Sequence, residues 1–75
     1  MRLGNFIAGL QTLQPYYDDG DGYHIGAEHD QFYANSTDKP LTPQDVQKML
    51  ELGWFQPEQE EGEPYDPAEG WSAFV

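Results

Sequence analysis

The chain contains no cysteine. This excludes a disulfide framework, thiol catalysis and thiolate metal sites. Cations are scarce too. Arg2, Lys39 and Lys48 face 14 acidic residues, for a net charge of −11. Phosphate binding needs Lys and Arg, so the composition argues against direct contact with nucleic acid or an anionic membrane. Long apolar runs are also missing: the longest is a few residues, against the ~20 that span a bilayer. The N-terminus shows no basic region followed by an apolar run and a small-residue cleavage site, so a cytoplasmic protein is expected.

What the chain does have is aromatic residues and acid. Its 75 residues suit one domain, 1–75, which buries only about 60% of the surface exposed when unfolded. With no covalent staple, the two Trp, five Tyr and four Phe must supply much of the core, each burying roughly 150–250 Å². A folded domain of this mass exposes on the order of 4,700 Å², or one net negative charge per roughly 430 Å². Such self-repulsion costs stability. A partner of this protein should therefore be basic, unless the acids serve solubility alone.

Leu3, Phe6, Ile7, Leu10 and Leu13 recur at helical spacing and predict a helix over 2–14, weakened by Gly4 and Gly9 and stopped by Pro15. Tyr16 to Gly22 reads as an acidic turn. Alternation predicts short strands at about 23–27 and 31–34, joined through Glu28-His29-Asp30. A second helix is expected over 43–52. Thr42 caps it, Pro43 takes its first position and Gly53 follows its end. Trp54-Phe55 and Trp71–Val75 predict two further strands, 53–56 and 71–75, around an acidic loop at 57–69. The resulting expectation is an α+β domain of order α-β-β-α-β-β. Its four-stranded antiparallel sheet would carry both helices on one face.

Catalytic and metal chemistry find little support in the sequence. A calcium loop starting at Asp19 would place Tyr23 at position 5 and Asp30 at position 12, where acidic or amide ligands and a glutamate belong. His24, Glu28, His29 and Asp30 form the densest group of ligand-type side chains. Yet no helical His-x-x-x-His pair occurs, and on a strand His29 falls away into the turn. Paired carboxylates need a pocket that separates their pKa values, and a small core leaves little room for one. No catalytic residue, metal site or cofactor is expected, and the chain reads as a non-enzyme.

Two acidic clusters remain: Asp18, Asp19 and Asp21; and Glu58, Glu60, Glu61, Glu63, Asp66 and Glu69. In an extended segment, Glu58 and Glu60, or Glu61 and Glu63, project on one side ~6.6 Å apart. Alternate phosphates of one DNA strand are ~6.8 Å apart. Rows of this kind suit the basic channel of a nucleic-acid-binding protein. The nine acids are the expected partner-binding residues. The alternative is an adaptor or accessory protein that binds through an aromatic sheet face around Trp54 or Tyr33, with the charge serving solubility.

Three segments carry a resemblance: Gly22 to Asp30, Leu41 to Val46, and the Leu52-Gly53-Trp54-Phe55 and Gly70–Val75 ending. Together they look like small acidic proteins of phages and mobile elements, some of which are anti-CRISPR proteins of type I systems. The resemblance implies a stoichiometric inhibitor acting in the host bacterial cell. It would bind a Cascade subunit or effector nuclease, with its acids where nucleic acid would lie. A monomer is expected, and no residue role carries over.

Overall fold

The computed structural model describes residues 1–57, 62 and 64–75. Helix α1 spans Leu3–Leu13 and tightens into a 3-10 turn at Gln14–Tyr16, where Pro15 cannot continue the α-helical ladder. Strands β1 (Ile25–Glu28) and β2 (Gln31–Ala34) form a hairpin through the two-residue turn His29-Asp30. His29 has φ 56, the left-handed region that mirror-image hairpin turns require at their first position. Helix α2 spans Pro43–Glu51, and β3 spans Trp71–Phe74.

The sheet has three antiparallel strands in the order β1-β2-β3. The α+β class and the two helices of the sequence reading stand, but the expected fourth strand at 53–56 does not form. Only Phe55 pairs there, in a single bridge to Ser72. The bonds are Phe55 N–H to the Ser72 carbonyl at 2.9 Å and Ser72 N–H to the Phe55 carbonyl at 2.7 Å. Continuing that ladder would need Gly53 opposite Phe74 and Pro57 opposite Gly70. Gly53 is committed to capping α2. Its φ is 93, its N–H donates to Leu50, and the next N–H, of Trp54, donates to Met49. Pro57 has no N–H to give. The pairing is blocked on both sides.

Strand alternation divides the sheet. Ala27, Phe32, Ala34, Trp71 and Ala73 face the helices. Gly26, Gln31, Tyr33, Ser72 and Phe74 face away. The core lies on the helix side, where Leu13, Ala34, Leu41, Met49, Trp54, Trp71 and Ala73 are buried together with Tyr17. Phe6, Phe32 and Trp54 form an aromatic triad there. Phe6 meets Phe32 edge-on at 4.8 Å between centroids, and stacks with Trp54 at 5.7 Å. Trp54 is seated on Gly9, where a Cβ would lie 2.1 Å from the indole nitrogen. Its N–H donates to the Asn5 carbonyl at 3.3 Å. Gly9 costs helix propensity, and the space it leaves admits one of the two largest core side chains.

The five-residue stripe expected on α1 is only partly buried. Leu13 is 1% exposed, Phe6 and Leu10 are half-buried, and Leu3 and Ile7 are 73% and 44% exposed. The buried arc of the helix centres on Gly9 and Leu13, and leaves the Leu3–Ile7 edge outside.

Candidate functional site

The first acidic cluster follows the 3-10 turn. The Asp19 carboxylate accepts the Asp21 N–H at 3.1 Å, and the Asp19 carbonyl accepts the Gly22 N–H at 3.1 Å and contacts His24 Nε2. The Asp18 N–H donates to Asp38 Oδ2 at 2.7 Å. Lys39 Nζ lies 3.6 Å from Asp18 Oδ1. Both side chains are exposed, so the pair contributes little in water. Below the turn, Tyr17 stacks on His24 and donates its hydroxyl to the Asn35 carbonyl at 2.6 Å. Burial, with the Asp38 carboxylate adding to it, holds that hydroxyl above the ordinary tyrosine pKa.

In the second cluster, Glu58, Glu60, Glu61 and Glu63 lie outside the described residues. The ends of their connection are fixed by Gln56, a buried side chain whose role the sequence reading missed. Its Nε2 donates to the Asp66 carbonyl at 2.6 Å, and its Oε1 accepts the Asp66 N–H at 3.1 Å. Asp66 and Glu69 are exposed. Asp66 Oδ1 accepts the Ala68 N–H at 2.9 Å, and Tyr65 stacks on Trp71 at 5.9 Å.

One segment, Thr37 to Leu41, lies between the two clusters. On one side the N–H groups of Asp38 and Lys39 donate to the Tyr16 carbonyl at 3.0 and 3.1 Å. On the other, Thr37 N–H reaches the Ala68 carbonyl at 3.2 Å and Leu41 N–H the Pro67 carbonyl at 2.8 Å. Asp18, Asp38, Asp66 and Glu69 thus gather about a single strap, with Lys39 as its cation. Asp19 and Asp21 sit one turn further along, beside His24. Asp38 belongs to neither of the two acidic clusters that the sequence shows. No local signal marked it, because its partners lie 20 or more residues away.

The aromatic alternative loses one of its residues. Trp54 is 1% exposed and belongs to the core, as does Trp71. Tyr33 and Phe74, at 39% and 57%, remain accessible on the far face, and Phe55 stacks on Phe74 at 5.0 Å. A shallow hollow of about 320 Å³ between Gln31, Tyr33, Pro57, Glu69 and Ser72 completes that face. Among the described residues, no three His, Asp or Glu side chains come together to hold a metal ion.

No protein-family model matches the chain, no curated protein matches it, and no solved structure matches it. Among the described residues, no helix is long and apolar enough to cross a membrane.

Proposed function

We propose that the protein is a non-enzymatic inhibitor that binds a basic surface of a nucleic-acid-binding complex in place of the nucleic acid. The carrying observation is the strap. Main-chain hydrogen bonds at Thr37–Leu41 tie the Asp18 turn to the Asp66–Glu69 turn. Asp18 of the first cluster and Asp66 and Glu69 of the second therefore flank one stretch of backbone. A type I CRISPR effector subunit, in a host bacterial cell, is the partner that the sequence resemblance suggests.

Electrostatic steering and contacts at the interface rim are screened by salt. Affinity for the partner is expected to fall at least about tenfold between about 50 mM and about 500 mM salt. Replacing Glu58, Glu60 and Glu61 with Lys weakens binding and leaves the fold intact. Competition with labelled duplex for the partner, measured by anisotropy, reads both effects. Salt-independent affinity, or full competition by the triple variant, refutes the reading.

The far sheet face supports a second reading, an adaptor that docks through Tyr33 and Phe74. It expects weak salt dependence and loss of binding in Tyr33→Ala.

A further inference from the structure

We infer that the open edge of β1 is a docking site for an extended, basic segment of a partner protein, which adds as a strand to the sheet. Asn35 N–H donates to the His24 carbonyl at 2.8 Å, so ladder bonds alternate from that pair. Gly26 and Glu28 spend their main-chain groups on β2. Ile25 and Ala27 point N–H and C=O away from it. β1 is the end strand of the sheet, and those groups meet no partner among the described residues. Four main-chain groups at alternate positions are what an incoming strand pairs with.

The surroundings specify what comes in. On the helix side, Ile25 is 58% exposed and borders a groove of about 280 Å³ shared with Ile7, Leu10 and Tyr17. That groove receives apolar side chains. On the opposite side, Glu28 lies at one end of the strand and is followed by Asp30, while Asp19 and Asp21 precede the other end. No Lys or Arg occurs between Arg2 and Lys39, a stretch that carries six carboxylates. The occupant is therefore a strand with Lys or Arg alternating with aliphatic residues. A second copy of this chain brings its own −11 charge to the contact and is disfavoured. The edge is also weakly guarded: Ile-Gly-Ala-Glu carries no Pro, no Lys and no bulge to turn a neighbour away.

The test is separate from competition with nucleic acid, because it needs neither the natural partner nor the Glu-rich connection. The probe is a synthetic peptide, acetyl-Lys-Val-Lys-Val-Lys-amide, titrated into the full chain and followed by amide NMR. Saturable shifts centred on Ile25 and Ala27 are expected. Seated antiparallel with its valine side chains on the groove side, the peptide turns its valine N–H groups to Ile25 and Ala27, so a peptide of the same sequence and charge, N-methylated at both valines, binds about tenfold more weakly. Ala27→Pro removes only an outward N–H, a substitution that edge strands accept. It keeps the fold, read from the remaining amide shifts, and weakens the unmodified peptide by a similar factor. Three results overturn the inference. One is equal binding by the methylated peptide. Another is a set of shifts spread over the acidic turns with none at β1. The last is self-association in sedimentation that Ala27→Pro abolishes, which assigns the edge to a second copy.

Discussion

Replace Gly9 with alanine and the added methyl has no room. The new Cβ would stand 2.1 Å from Trp54 Nε1 and 2.4 Å from Cε2, inside the contact distance of any real pair. Trp54 is 1% exposed, so the indole cannot yield into solvent. Overpacking of this kind costs about 1–3 kcal/mol. The displaced indole also gives up its bond to the Asn5 carbonyl, and a buried donor left unpaired costs about 1–3 kcal/mol. Against this, alanine raises helix propensity by up to about 1 kcal/mol. The net is destabilisation on the order of 2 kcal/mol, which for a domain of this size lowers Tm by roughly 8–16 °C. Gly4 supplies the control in the same helix. It is exposed and a Cβ there meets nothing within 4 Å, so Gly4→Ala stabilises by about 0.5 kcal/mol and raises Tm by a few degrees. Thermal melts by circular dichroism, with tryptophan emission followed in parallel, distinguish the two. If Gly9→Ala melts at or above the parent with unchanged emission, Trp54 does not sit on that glycine and the account of the core is wrong.

Gln56→Ala removes both bonds that hold Asp66 and is expected to destabilise by about 2 kcal/mol. Faster hydrogen exchange should concentrate at Asp66, Ala68 and Leu41, and exchange unchanged there rejects the clasp. Tyr17 has its hydroxyl pKa raised by burial and then by Asp38. Its contribution to stability is complete below the unfolded tyrosine pKa and is lost as pH rises through the folded one. Urea midpoints from neutral pH into the alkaline range should fall less steeply in Tyr17→Phe than in the parent; identical slopes would mean that Tyr17 carries no linked proton.

The sequence made the α+β class and both helices legible because their signals are local. Thr42, Pro43, Asp45 and Gly53 stand at fixed offsets around α2, and each cap is satisfied within a few residues. The strand count was not legible, because the same residues have two uses. Trp54 and Phe55 have strand character. Gly53 and Trp54, however, spend their N–H groups on the helix cap, and Pro57 has none. Periodicity likewise recorded an apolar face on α1 without recording how much of that face finds a partner. Leu3 and Ile7 belong to the stripe and stay outside, since Trp54 and the sheet meet the helix at Gly9 and Leu13. For the candidate surface, the acids themselves were plain in the sequence. The strap that connects them was not. Thr37, Asp38, Lys39 and Leu41 are joined to residues 16, 18, 67 and 68 through hydrogen bonds that no spacing rule anticipates.

The acids differ in what removing them would mean. The carboxylates of Asp19, Asp38 and Asp66 each accept a main-chain N–H, from Asp21, Asp18 and Ala68 respectively. These three shape turns as well as carrying charge. Those of Asp21 and Glu69 make no side-chain hydrogen bond or ion pair among the described residues, and contribute charge alone. Alanine at the first three would remove an acceptor and a charge together, and weaker binding would then reflect a disordered turn as readily as a lost contact. Asparagine keeps the accepting oxygen in nearly the same place and removes only the charge. The comparison that isolates electrostatics is therefore Asp→Asn at 19, 38 and 66 against Asp21→Asn and Glu69→Gln. If charge alone governs recognition, the two sets weaken binding in proportion to the charges removed. If the turns themselves are what the partner reads, the Asn variants bind like the parent.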